Sequence, residues 1–337
     1  MAGVRSVPVV DAATLLQLVV GALALVGLVR GAGVAVEKLL ALARHLGLSE
    51  VLLGVFVLSF GTSLPEIGTH VIASLGILSG TLDYAVASGT VIGGNMGSST
   101  AQQFLLFGVF LVGFGDCSLS WGFVRASYLP MLGAFALLLG VAVDGTISHL
   151  DGIVLLVSFI VYAHFSFTRT ARVPRLPEVP VESRDVRRDA LVGVAALGVV
   201  LASAFVVLSV VETVVDRLRL SGSMLAVVTI GIASALPEFS TVLESIRRRT
   251  PLLALGTLVG TNVVNSLVGI GLGGALSTYA VPPSVVLWDL PFKLLVGAGV
   301  LGYVWFRRDG SFTRRDGLSL VLLYLVYVAG RLVLFPG

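Results

Sequence analysis

The chain has 337 residues, of which 56% are hydrophobic and only 12% are charged, and its mean hydropathy is +1.01. A water-soluble protein of this size needs more surface charge, whereas lipid solvates the apolar exterior of a membrane protein. The single cysteine, Cys117, excludes an internal disulfide framework and cysteine-clustered metal sites. The composition therefore predicts an integral membrane protein.

Apolar stretches of about 20 residues, the length that a helix needs to cross a bilayer, recur along the whole chain. The first stretch has little positive charge before it and no convincing small-residue cleavage site, so we expect a retained helix and not a signal peptide. The pattern predicts an all-α fold with ten transmembrane helices at 12–36, 50–78, 83–114, 121–142, 150–168, 190–215, 222–246, 251–276, 284–306 and 317–335.

The positive charges are distributed unevenly between the two sides of this predicted membrane domain. With the N-terminus outside, 17 of the 22 Lys and Arg residues fall on the inner side and four on the outer side, and Lys293 lies in or near a span. Because cytoplasmic loops carry the positive excess, we expect both termini outside the plasma membrane. The charged, proline-rich stretch 169–189 is then a cytoplasmic linker between residues 1–168 and 190–337. Basic residues confined to inner loops do not favour nucleic acid as a partner.

A sequence motif occurs twice, 172 residues apart. The stretch "LGLSEVLLGVFVLSFGTSLPE" (46–66) reappears as "LRLSGSMLAVVTIGIASALPE" (218–238), with Ser49 and Ser221 as predicted helix N-caps. A glycine-rich stretch follows each copy, "ASGTVIGGNMGSS" (87–99) and "ALGTLVGTNVVNS" (254–266), and predicts a break in the next helix. Two halves of five spans each have opposite topology, so we expect the inverted repeats that are typical of transporters.

Each motif places a proline and a glutamate inside an apolar helix, Pro65–Glu66 and Pro237–Glu238. Proline removes a backbone donor and frees carbonyl groups, which a membrane helix tolerates where they line an enclosed cavity. One such glutamate could be a structural feature of a kinked helix, but two at equivalent positions would repel each other without a cation. With nearby hydroxyl and carbonyl oxygens they would form the kind of cage that calcium prefers and sodium can use.

The paired motifs resemble the two alpha repeats of the cation/calcium exchanger superfamily, and most closely its prokaryotic sodium/calcium exchanger branch. The features that carry the resemblance are "GTSLPE" followed by a "GxxxGxN" helix, repeated as "ASALPE" and "GTLVGTN", within residues 57–100 and 229–267. The resemblance spans the chain and implies a cofactor-free antiporter that exchanges calcium for sodium by alternating access. It also implies that the second, third, seventh and eighth helices surround the ions while the first and sixth slide across them.

The same resemblance implies a set of oxygen ligands for the transported cations. These are Glu66, Glu238, Thr62, Ser63, Ser98, Ser234, Thr261 and Asn265. Ser98 stands where the family has an asparagine, and Gly94 and Ala235 each stand where it has a serine. The missing hydroxyl groups put a stoichiometry of three sodium ions per calcium in question.

Three further polar residues lie close to these motifs. His70 follows Glu66 by four residues and either carries a proton in place of a sodium ion or hydrogen-bonds a neighbouring helix. Gln102, one turn after Ser98, is expected to bond another helix rather than an ion. Glu244 is expected to form an ion pair with Arg248.

Two alternatives to sodium/calcium exchange remain open from the sequence. Calcium/proton exchange is one, and a cation channel, which would pass calcium without a counter-gradient, is the other. The sequence has no Walker loop and no HExxH motif, and no base is positioned to activate Ser63. We therefore expect neither an ATP-driven pump nor a hydrolytic enzyme.

Overall fold

The computed structural model describes residues 12–45, 49–170, 186–217, 231–307 and 310–335, and most of them are helical. The α-helices of eight or more residues are labelled in chain order. They are α1 Ala12–His45, α2 Ser59–Leu78, α3 Tyr84–Thr100, α4 Phe107–Phe114, α5 Leu129–Ala142, α6 His149–Thr170, α7 Val186–Arg217, α8 Leu236–Arg248, α9 Pro251–Val264, α10 Ile270–Ser277, α11 Leu290–Phe306 and α12 Arg314–Leu334.

Five π-helical segments continue these helices without a break. They are Leu53–Leu58, Ala101–Leu106, Val124–Tyr128, Asn265–Gly269 and Val285–Asp289. Single helical turns at Glu50–Leu52 and Trp121–Phe123 precede the first and third. The helices 50–78, 84–114 and 251–277 therefore run uninterrupted, each with its own π segment. A π segment shifts the faces of a helix, and such segments often occur at functional sites.

Nine helices among the described residues are long and apolar enough to cross a membrane, and they confirm nine of the ten predicted spans. The remaining predicted span, 222–246, is described from residue 231, where a helical turn at 231–234 precedes α8. The predicted N-cap Ser49 is confirmed, because its Oγ accepts a hydrogen bond from the Leu52 N–H at 3.3 Å. Ser221 and most of the predicted linker, residues 171–185, lie outside the described residues.

Two short antiparallel strand pairs join loops of the N-terminal half to loops of the C-terminal half. Strand β1 (Cys117–Ser118) pairs with β4 (Ser311–Phe312), and β2 (Thr146–Ile147) pairs with β3 (Tyr279–Ala280). Paired strands lie on the same side of the membrane, so an even number of crossings must separate them. The ten predicted spans give six crossings between β1 and β4 and four between β2 and β3, which satisfies this condition.

The glycine-rich stretches do not break their helices, and the prediction of a break there is wrong. Residues 84–100 and 251–264 are continuous α-helix. Instead, the glycines let helices approach closely: a Cβ at Gly260 would lie 2.5 Å from the Val55 carbonyl oxygen, and one at Gly256 would lie 3.0 Å from the Val51 carbonyl oxygen. Helix α9 is therefore packed directly against residues 50–58, and its apolar span is entirely buried.

Helices α1 and α7, the first and sixth predicted spans, pack against each other along their length. Small residues line this contact, with Gly27 against Ser203 and Gly31 against Val200. Helix α1 also contacts α8, and α7 contacts α2, so the pair covers the helices that carry the repeated motif. Large apolar side chains such as Leu23 and Phe205 are exposed, as expected for helices that face lipid.

Candidate cation site

Glu66 lies within α2, which continues as a helix through Pro65. Its side chain is buried, and Oε1 accepts a hydrogen bond from the Ser98 hydroxyl of α3 at 3.4 Å. Oε2 has no hydrogen-bond partner among the described residues. The missing N–H of Pro65 removes one backbone hydrogen bond, but the helix continues on both sides of it from Ser59 to Leu78.

Glu238 lies at the start of α8, and here the backbone does depart from helical geometry. Ala235 is a non-helical residue between the turn 231–234 and α8, and Pro237 occupies the first turn of α8, where proline is tolerated. Glu238 is fully buried, and both of its carboxylate oxygens lack a hydrogen-bond partner among the described residues. Its carboxylate is close enough to that of Glu66 for the two to interact electrostatically. The structure thus brings the two repeated motifs together at their glutamates.

Unpaired buried polar atoms cluster at the predicted ligands. Within the described part of the chain, Ser63 Oγ and both Asn265 side-chain atoms lack hydrogen-bond partners, as do three of the four carboxylate oxygens of Glu66 and Glu238. Ser63 precedes Glu66 by three residues on α2, and Asn265 begins a π segment that packs against α2. A buried polar atom without a partner costs about 1–3 kcal/mol, so this cluster of oxygens is suited to bind a further group.

Three other predicted ligands donate their hydroxyl protons to backbone carbonyls three or four residues earlier in the chain. Thr62, Ser234 and Thr261 donate to the carbonyls of Leu58, Gly231 and Thr257, at 3.0, 3.0 and 2.8 Å. Each hydroxyl oxygen keeps a lone pair that can accept or coordinate. Within the described ranges no hydrogen bond joins Ser234 or Thr261 to a glutamate, so their ligand role stays a prediction.

Gly94 and Ala235, which stand where the family has a serine, differ in their surroundings. A Cβ built at Gly94 would meet nothing within 4 Å, whereas Ala235 is buried. The turn 231–234 lies close to α3, because a Cβ at Gly231 would be 3.3 Å from the backbone nitrogen of Ser98. Ser98 is therefore next to both halves, hydrogen-bonded to Glu66 of one and adjacent to the backbone of the other.

His70 is hydrogen-bonded to neighbouring elements at both ring nitrogens. Asn95 Nδ2 lies 3.0 Å from His70 Nε2, and the Tyr279 hydroxyl lies 3.3 Å from Nδ1. Asn95 also donates to the backbone carbonyl of Asn265 at 3.2 Å, and Tyr279 donates to the carbonyl of His70 at 3.0 Å. These contacts agree with the expectation that His70 hydrogen-bonds a neighbouring helix. A role of His70 in proton coupling stays a prediction.

Two expectations about other polar residues agree with the contacts. Gln102 bridges helices, because its Nε2 donates to Ser98 Oγ at 3.3 Å and its Oε1 accepts from Asn262 Nδ2 at 3.4 Å. Glu244 pairs with Arg248, with Oε1 at 2.6 Å from Nε.

The sequence reasoning missed two buried residues near these contacts. Ser266, next to Asn265 in the π segment, has a buried hydroxyl without a partner among the described residues. Lys293 of α11 is fully buried, and its Nζ donates to Ser99 Oγ at 2.6 Å and to Asn262 Oδ1 at 3.4 Å. In the sequence, Lys293 is visible only as a lone lysine in an apolar stretch, and this pattern gives no information about its hydrogen-bond partners.

The carboxylates here are too few to form a metal centre by themselves. Across the described ranges, no group of three or more His, Cys, Asp and Glu side chains is placed to hold a metal ion. A cation bound between Glu66 and Glu238 would therefore need hydroxyl, amide and backbone oxygens as well. Such an all-oxygen, mostly neutral set suits hard cations such as calcium and sodium.

Comparison with known proteins identifies the family. The model of the family described as sodium/calcium exchanger protein matches residues 16–168 and 190–333, which are most of the two halves. The chain belongs to this family. As a member of it, the protein is a cation antiporter of the calcium exchanger type.

Individual relatives include membrane proteins that match most of the chain. The chain is 26% identical over 296 residues to an uncharacterized membrane protein of Methanocaldococcus jannaschii, covering 86% of this chain and 89% of that one. It is also 26% identical over 304 residues to the inner membrane protein YrbG of Escherichia coli, covering 86% and 88%. A solved structure of the sodium-calcium exchanger NCX_Mj superposes with a TM-score of 0.77 at 20% identity, covering 94% of this chain and 99% of that chain. That match shows a common fold for this member of the sodium/calcium exchanger family.

Proposed function

We propose that the protein exchanges calcium for sodium across the plasma membrane, with Glu66 and Glu238 at the centre of the cation site and both termini outside. The observation that carries the proposal is the cluster of buried, unpaired oxygens on Ser63, Glu66, Glu238 and Asn265. Two buried carboxylates that interact with each other are stable as anions only with a compensating cation. Calcium or several sodium ions would supply that charge in turn.

Alternating access would use the two halves, 1–168 and 190–337, as inverted repeats around this site. In support, the non-helical Ala235 and the π segment 265–269 lie in the C-terminal half, next to α2 and α3 of the N-terminal half. The small-residue contact between α1 and α7 leaves these two helices able to move together across the motif-bearing helices. The positive-inside bias supports the orientation.

The proposal is tested by calcium uptake into proteoliposomes loaded with sodium and diluted into sodium-free buffer. Glu66→Gln and Glu238→Gln keep the side-chain shape and remove the charge, so each should reduce uptake to background. Glu244→Gln is the matched control: it also removes a glutamate from α8, but one paired with Arg248 away from the proposed site, and it should retain uptake. Near wild-type exchange in either of the first two variants contradicts a site with two essential glutamates.

Calcium/proton exchange is the second candidate, favoured by the absence of a hydroxyl at Gly94 and Ala235. In this case a proton would replace a sodium ion, carried by a glutamate or by His70. The same liposomes distinguish the two candidates, because an imposed pH gradient without sodium then drives calcium uptake. His70→Ala would flatten the pH dependence of uptake only if His70 carries the proton.

A further inference from the structure

A second group of buried charges lies in the C-terminal half, and none of its members is among the predicted cation ligands. Asp289 and Lys293 are one helical turn apart, and Arg331 of α12 pairs with Asp289, with Nε at 3.3 Å from Oδ1. The Tyr327 hydroxyl donates to the same Oδ1 at 2.9 Å. All three charged side chains are buried. In their ionised forms these three side chains carry one negative and two positive charges, an excess of one positive charge within the group.

The contacts of Lys293 place that excess charge on the side of the cation site. Its Nζ makes a short hydrogen bond of 2.6 Å to Ser99 Oγ and lies 4.0 Å from the ring centroid of Phe135. A short bond and an aromatic face are both typical partners of a charged ammonium group. Asp289 is already bonded to Arg331 and Tyr327, so it does not fully neutralise Lys293.

A continuous hydrogen-bond chain runs from Lys293 to Glu66, and its direction is fixed. An ammonium group can only donate, so Asn262 presents its Oδ1 to Lys293 and its Nδ2 to Gln102 Oε1. Gln102 then donates from Nε2 to Ser98 Oγ, and the Ser98 hydroxyl donates to Glu66 Oε1. Every group in the chain is oriented so that its positive end points towards Glu66.

We propose that Lys293 is a resident positive charge of the cation site, a positioning residue that partly compensates Glu66 and thereby weakens the binding of transported cations. Acting through Asn262, Gln102 and Ser98, it keeps Ser98 as a hydrogen-bond donor to Glu66 instead of a free ligand. The net negative charge that the site presents to calcium or sodium is then smaller than the charge of its two glutamates. The inference rests on the proposed function, since it concerns the same site.

Lys293 could act by its charge or by its hydrogen bonds, and these two roles predict opposite changes in cation affinity when Lys293 is replaced. If Lys293 acts by its charge, its removal strengthens cation binding, because the repulsion is lost. If Lys293 only supports the position of Asn262 and Ser99, its removal weakens binding, and a neutral hydrogen-bonding side chain restores it.

The experiment measures equilibrium binding of radioactive calcium to the purified full-length protein in detergent, without sodium, for wild type, Lys293→Met, Lys293→Gln and Lys293→Arg. We expect Met and Gln to lower the calcium Kd by about tenfold, which corresponds to about 1.4 kcal/mol, and Arg to stay within about threefold of wild type. Should the Met variant not fold, Gln carries the test, since its amide can still bond Ser99 and Asn262.

An unchanged or higher Kd in Lys293→Gln, with wild type binding calcium normally, overturns the inference about Lys293 and leaves the proposed function intact. A wild-type protein that binds neither calcium nor sodium would instead overturn the proposed function, so the two failures are distinguishable.

Discussion

The contact between Gly260 of α9 and the segment 53–58 joins the two halves of the protein directly behind the motif-bearing helices. In the substitution Gly260→Ala, the new Cβ would lie 2.5 Å from the Val55 carbonyl oxygen and 2.7 Å from Ser59 Oγ. Ordinary contact begins at 3.4 Å, so the helices would have to separate by about 0.9 Å. Backbone atoms form most of this contact, and a side-chain rotation cannot relieve it.

The cost of this separation follows from the cost of overpacking. Inserting a methyl group into a well-packed interior costs about 1–3 kcal/mol. The unfolding entropy of a chain of this length is roughly 0.7 kcal/mol per degree, on the per-residue average for globular proteins. We therefore expect Gly260→Ala to lower Tm by about 1–4 °C, measured by scanning fluorimetry in detergent, and to reduce calcium uptake because residues 50–58 continue into α2.

Gly68→Ala is the matched control on α2. A Cβ at Gly68 meets nothing within 4 Å, and replacing a helical glycine by alanine stabilises by about 0.5–1 kcal/mol. This variant should therefore keep or slightly raise Tm. If Gly260→Ala is as stable as Gly68→Ala, the close contact between the halves at Val55 is not present in the folded protein.

Three further predictions concern the site and its surroundings. Asn265→Ala should raise the apparent calcium KM in liposomes by about tenfold or more, because no other group in the described structure hydrogen-bonds its side chain. Ser98→Ala should change it by less than about threefold, because Ser98 is already bonded to Glu66 and Gln102; equal effects would contradict this asymmetry. Gly94→Ser should fold normally and lower the sodium concentration for half-maximal exchange by about threefold, since its side chain has open space one turn before Ser98; an unchanged sodium dependence would refute the idea. Burial raises the pKa of the Cys117 thiol to about 11, so the thiol is protonated at neutral pH, and maleimide labelling should be slow at pH 7.5 and rise about tenfold per pH unit up to pH 10; fast labelling at pH 7.5 would show that Cys117 is not buried.

Much of the architecture was predictable because the bilayer imposes a simple rule on the sequence. A crossing helix needs about 20 apolar residues, and nine of the predicted spans agree with the helices on that basis alone. The repeat of Pro65–Glu66 as Pro237–Glu238 indicated the two glutamates, because carboxylates are rare in such helices and a repeated pair is rarer still. The family resemblance rested on the same residues.

The sequence by itself therefore determined nine of the crossings, the family and the repeated position of the two glutamates, all of them properties of local composition and of the repeat. The tertiary structure alone decided which helix breaks and which polar residues meet. Pro65 and Pro237 stand in the same motif, yet only the second motif departs from helical geometry, at Ala235. Lys293 and Glu66 are 227 residues apart in sequence but are joined by hydrogen bonds through Asn262, Gln102 and Ser98. Contacts of this kind depend on how separate helices, with π segments that shift their faces, pack against one another, and no local pattern of residues contains that information.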